Sequence, residues 1–116
     1  MVKRLLSANA SELIEMTGKE LKQSIKASAG RVVLSENIVT ETPMVPDISN
    51  AELARAFGAD LILLNGFDAF NPKVKNIGEG AHVIETLRYL VGRPVGVNLE
   101  PVDKRANMTE AHLDIA

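Results

Sequence analysis

Three short apolar runs punctuate the chain at intervals of about 30 residues, and each closes on polar, mostly acidic or amide side chains: Arg31-Val-Val-Leu-Ser-Glu-Asn37, Leu61-Ile-Leu-Leu-Asn-Gly-Phe-Asp68 and Pro94-Val-Gly-Val-Asn-Leu-Glu100. Continuous apolar runs of this length are the pattern of strands buried on both faces, as parallel strands are. Amphipathic segments lie between them. Ser49 with Glu52 has the spacing of a capping box and opens a helix whose stripe is Leu53, Ala54 and Phe57, stopped by Gly58. A second helix, over 79–91, carries Val83, Ile84, Leu87, Leu90 and Val91 on one face and stops at Gly92. The strand-to-strand spacing is that of successive βαβ units with right-handed crossovers.

Ahead of the first strand, Asn9 with Glu12 and Thr17 with Glu20 repeat the capping spacing and predict helices over 10–16 and 18–28. The second of these aligns Leu21, Ile25 and Ser28, and Gly30 supplies the left-handed stop. Asn107 with Glu110 predicts a further helix from about 108 that is still in progress at Ala116. Residues 1–116 therefore read as one domain: amino-terminal helices over 1–29, then βαβαβ and the start of another helix over 30–116. The turns from helix to strand are short and the loops from strand to helix are long, namely 40–48 with Pro43 and Pro46, and 66–76 with Pro72. In barrels and doubly wound sheets it is these long loops, at the carboxyl ends of the strands, that carry function.

Composition narrows the function. A net charge of −2, with 13 basic and 15 acidic residues intermixed, offers no basic face for nucleic acid, and three Phe, one Tyr and no Trp offer no stacking platform for bases. The absence of cysteine removes disulfides, thiolate metal sites and cysteine nucleophiles. No apolar stretch is long enough for a membrane span or a signal peptide, so the expected home is the cytoplasm.

The candidate chemistry sits at the strand ends. Glu36, Asp68 and Glu100 are carboxylates at or just beyond successive carboxyl ends, a set that suits a hard cation such as Mg²⁺. Two of the three reading simply as solvated loop acids is the bland alternative. Glu100, which shares strand parity with Asn98 and Gly96, is the leading catalytic candidate, with Glu36 beside it. Asn65 and Asn98 hold matching places and can donate to a carboxylate or enolate oxygen, or merely tie down the loops that follow. Lys73, in the loop after the second strand, is a candidate for neutralising a phosphate or carboxylate, although loop lysines are usually only solvated. Gly78-Glu-Gly80 at the expected helix start is a weak phosphate-turn signal, because Glu79 repels an anion. Arg31 and Arg93 precede strands and belong to the opposite, stabilising end.

From Leu13 to Asp103, through Thr17-Gly-Lys-Glu-Leu, Gly30-Arg-Val-Val-Leu-Ser-Glu-Asn, Ala59-Asp-Leu-Ile-Leu-Leu-Asn, Phe70-Asn-Pro and Val95-Gly-Val-Asn-Leu-Glu-Pro, the chain resembles the amino-terminal part of a bacterial TIM-barrel family often labelled phosphoenolpyruvate phosphonomutase-like. The resemblance implies an α/β fold, a partial (βα)₈ TIM barrel holding its first three strands. It also implies an enzyme acting on a small phosphorylated or carboxylated metabolite, with Mg²⁺. The clustered Asp-x-Asp of phosphonomutases and isocitrate lyases is replaced here by Asn65-Gly-Phe-Asp68 and Asn98-Leu-Glu100. The other expectation is a catalytically silent module that pairs with further copies through exposed sheet edges.

Overall fold

The computed structural model describes residues 2–99. Glu100 and the helix expected from 108 lie outside the described residues.

A single 3₁₀ turn, Leu5–Ser7, precedes helices α1 (Ala10–Glu15) and α2 (Gly18–Ala27). Both expected capping boxes form. Asn9 N–H donates to Glu12 Oε2 at 3.0 Å, and Thr17 and Glu20 exchange bonds of 3.0 and 3.2 Å. The backbone and then the hydroxyl of Thr17 hold the Glu20 carboxyl below its ordinary value of 4.5. The completely buried side chains here are Ser24 of α2 and Ser28 at its C-cap, while Leu21 and Ile25 are half-buried. Ser24 Oγ donates to Lys3 O at 2.6 Å, which straps the amino-terminal segment along the helix. The left-handed stop is a pair of residues and not Gly30 alone: Ala29 (φ 54°) enters that region first, followed by Gly30 (φ 75°).

Strands β1 (Leu34–Ile38), β2 (Leu61–Asn65) and β5 (Val95–Val97) form one parallel sheet in the order β1-β2-β5. Helices α3 (Asn50–Ala56) and α4 (Val83–Val91) make the two crossovers. Ile62 and Leu64, each 1% exposed, pack with Ala51, Val83, Leu87 and Val91 to form the main core on one face. The other face departs from the expectation of strands buried on both sides. Leu34 is 51% exposed and Ile38 47%, since three strands cannot curl far enough to cover their own second face. Among the described residues, only its base is covered. There Leu5, Ala8 and Leu13, with Leu21 and Ile25, form a second apolar cluster against Val32 and Leu61.

The expected loop over 66–76 and helix from 79 are also corrected. Residues Lys73–Val74 (β3) and Gly78–Glu79 (β4) form a small antiparallel hairpin, and α4 starts only at Val83. Gly78 (φ 139°) and Gly80 (φ 106°) adopt conformations that no helix accommodates, and the candidate phosphate turn does not open α4, because Gly78–Glu79 lie in β4 and Gly80 N–H donates to Pro72 O at 2.9 Å. At the hairpin tip, Asn76 Nδ2 donates to the carbonyls of Pro46 (2.8 Å) and Ile48 (3.0 Å), joining the two long loops.

At the amino-terminal edge of the sheet, Asp60 links all three strands. Its Oδ2 accepts Val33 N–H at 2.9 Å, and its backbone carbonyl accepts Arg93 Nε–H at 2.8 Å. Its Oδ1 stands 3.6 Å from Arg93 Nη2. Arg93 is 7% exposed, and Nη2 has no hydrogen-bond partner. Burial, and secondarily the charge of Arg55, pushes this guanidinium below its ordinary value, against the opposing pull of Asp60. Asp60→Ala is expected to cost about 3 kcal/mol by leaving a buried charge without its counter-ion. Asp60→Asn, which keeps an acceptor for Val33, should cost clearly less in urea denaturation. Both variants lack the charge, so equal losses would mean that the charge carries the whole effect and the acceptor for Val33 contributes nothing.

Gly92 ends α4 at φ 65°, and a Cβ there would stand 2.9 Å from Ala10 Cβ. Gly30→Ala meets only the left-handed penalty, because nothing lies within 4 Å of the added carbon. Gly92→Ala meets that penalty and must also push α1 away. Urea titration should show a loss of about 1–2 kcal/mol for Gly30→Ala and a distinctly larger one for Gly92→Ala.

Candidate functional site at the strand ends

Strand parity assigns each polar side chain to a face. The β1–β2 register sets Glu36 beside Leu63 and Ile38 beside Asn65, so Glu36 and Asn65 occupy diagonal positions on the open face. The diagonal is short enough for an amide to cross. Asn65 Nδ2 donates to Glu36 Oε1 at 2.8 Å, which orients the carboxylate and leaves Oε2 free to accept another proton donor. Apolar side chains flank the pair, with Leu34 and Ile38 on β1 and Leu63 on β2.

Gly96 pairs with Leu63, and a Cβ at Gly96 would stand 3.4 Å from Leu63 Cδ1. The missing side chain thus keeps the floor of the open face low beneath the strand ends. Asn98 N–H donates to Leu64 O at 2.9 Å, one residue past β5, and continued alternation brings Asn98 level with Asn65. Glu36, Asn65 and Asn98 consequently form one row across the three strands.

Two sequence-derived candidates stand apart from that row. Asp68 Oδ1 accepts Phe70 N–H at 2.9 Å, the bond of an Asx turn, so this carboxylate shapes the loop. Lys73 is exposed on the hairpin, directly opposite Glu79, and lines an open depression with Val39 and Thr40. No hydrogen bond or ion pair joins Asp68 or Lys73 to Glu36 or Asn65 among the described residues. Among the described residues, no group of three His, Cys, Asp or Glu residues gathers to hold a metal ion. Glu100, the strongest candidate by sequence, lies outside the described residues.

Asn37 shows what parity decides. It belongs to the same polar strand ending as Glu36 but falls on the helix-covered face, where its Oδ1 is buried without a partner and its Nδ2 donates to Ser35 Oγ at 3.4 Å. The alternation of β1 was the available signal, and it separates Glu36 from both Ser35 and Asn37. Less visible in sequence was Arg88, which has no motif around it and lines a pocket at the opposite end of the sheet.

No helix among the described residues is long and apolar enough to cross a membrane. No curated protein and no solved structure matches the chain. Residues 6–116 match the sequence model of a family described as a domain of unknown function, DUF7916, and with nearly its whole length matched the chain belongs to that family.

Proposed function

We propose that the chain supplies the first three strands of a (βα)₈ barrel enzyme, phosphoenolpyruvate phosphonomutase-like in type, whose strand-end rim binds a small phosphorylated or carboxylated metabolite. The observation that carries this reading is the Glu36–Asn65 hydrogen bond on an otherwise apolar, uncovered face, at the carboxyl ends of adjacent parallel strands. Apolar surroundings with a few converging polar groups are what a small-molecule site requires. In a closed barrel the open face would become the interior, and the amino-terminal cluster around Leu5 and Leu13 would close its lower end.

In this proposal Glu36 accepts a proton from the substrate, and Asn65 fixes the orientation of the carboxylate that does so. Asn98 donates to a substrate oxygen, and Glu100 is assigned the second catalytic carboxylate from the sequence. Lys73 approaches an anionic group only if the hairpin folds inward. The described carboxylates do not make a Mg²⁺ site by themselves: Asp68 serves its own turn and Glu36 is bonded to Asn65. A Mg²⁺ contribution would need Glu100.

The test is a titration of phosphorylated and carboxylated metabolites, phosphoenolpyruvate among them, with and without Mg²⁺, following melting temperature. At least one should stabilise the chain, and Asn65→Leu and Glu100→Gln should each abolish that response while leaving the unliganded melting temperature nearly unchanged. A panel without effect on both this chain and a longer member of the family would sink the proposal.

A second reading is favoured by the same exposed face. Leu34 and Ile38 are bare, and β1 and β5 are edge strands in the three-stranded sheet, so two copies can cover each other or pair edge to edge. In this reading the 116-residue chain is a catalytically silent self-associating module. Light scattering should then find a dimer or larger species that Ile38→Lys converts to monomer. A cooperative monomer at high concentration would exclude it.

A further inference from the structure

A pocket of about 240 Å³ opens at the amino-terminal end of the sheet, between α1 and the last turn of α4, far in sequence and in fold position from the Glu36–Asn65 row. Its volume is that of about eight waters, enough for a small organic molecule. Leu13 is buried at its base, while Ile14 and Tyr89 stand exposed at its edge, 53% and 80% open to solvent. Pro94 and Gly92 complete the apolar wall.

Its charge is one-sided. Of the nine lining residues two are arginines, Arg88 and Arg93, and none is acidic. The two arginines are not equivalent. Arg93 is buried and committed to Asp60, whereas Arg88 is half-exposed and its guanidinium forms no ion pair or hydrogen bond among the described residues. Arg55 adds a third positive charge close enough to be felt by Arg93. An apolar hollow with one uncommitted guanidinium and a second behind it suits a ligand with an acid group on a hydrophobic body.

We propose that this pocket binds a small organic monoanion, a carboxylate on a short hydrocarbon or aromatic frame, whose acid group meets Arg88 while its body lies against Leu13, Ile14 and Tyr89. The site is separate from the strand-end rim and does not depend on the barrel being closed. Its shape depends instead on the seating of α1 over Gly92, where a Cβ would meet Ala10 at 2.9 Å. A bound ligand would therefore clamp the amino-terminal helices to the end of α4.

Tyr89 is the single tyrosine in a chain without tryptophan, so its emission reports on this pocket directly. The 116-residue chain is titrated with hexanoate, with hexanol as the neutral counterpart and inorganic phosphate as the anion without a body, reading Tyr89 fluorescence and melting temperature together. Hexanoate should give a saturable change in emission and a rise in melting temperature in the millimolar range. Arg88→Met should weaken the response about tenfold, as loss of one charge-assisted contact does. Ile14→Glu, at an exposed position that the fold tolerates, should abolish it by setting a carboxylate beside Arg88. Three results overturn the proposal: no saturable response to hexanoate, a response to hexanol or phosphate as strong as that to hexanoate, or full retention of binding in Ile14→Glu.

Discussion

Everything at the strand-end rim depends on a contact at the other end of the sheet. Asp60 stands at the entry to the central strand and uses both its carboxylate and its carbonyl to hold the neighbours on either side, Val33 leading into β1 and Arg93 leading into β5. Parallel strands derive nothing from a hairpin turn to fix their register, since each is reached by a long crossover. A side chain that bonds across both junctions supplies the missing constraint. Because the side-chain period of a strand is two, a slip of one residue in β1 against β2 would send Glu36 to the helical face and bring Asn37 to the open one. The diagonal that lets Asn65 reach Glu36 exists only in the register that Asp60 helps to set.

The two faces of the sheet have opposite energetics. On the covered face Ile62 and Leu64 reach nearly complete burial against α3 and α4, which is where the hydrophobic stabilisation of this half of the chain is concentrated. On the open face the same strands leave Leu34, Ile38 and Leu63 with partial exposure, and the amino-terminal helices cover only the start, at Val32 and Leu61. Among the described residues this face is apolar along its length, covered at its base and polar along its top edge. Leu34 and Ile38 keep about half of their area in water there.

Element type was legible in the sequence because its signals are local. The capping pairs Asn9–Glu12, Thr17–Glu20 and Ser49–Glu52 place three helix starts, and the three apolar runs place the three strands of the sheet. Burial was misread because a continuous apolar run speaks of a strand's composition and not of how many neighbours the fold supplies. The β3–β4 hairpin was missed because its strands have two residues each, below the length at which alternation can be seen, and because the helix of α4 was extended backward to residue 79, through Gly80. At the site, residue types were legible and partnerships were not. Glu36, Asn65 and Asp68 look alike as polar strand endings. Only the register and the turn after β2 show that the first two are bonded to each other while Asp68 is occupied by Phe70.

The division of labour between the two ends follows from where each long loop is anchored. At the carboxyl end Asn76 bonds to Pro46 and Ile48, so the loops after β1 and β2 are held to each other through side chain and backbone, with the hairpin between them. At the amino end no long loops exist, and the chain fills the space with α1, packed so closely on the end of α4 that Gly92 has no room for a Cβ. The crevice that remains beside Gly92 is lined by Arg88 and Arg93 because basic residues favour a helix C-terminus and because a strand entry needed a partner for Asp60. The fold places those two positive charges for stability, and their convergence on one apolar hollow is what gives that hollow its chemistry.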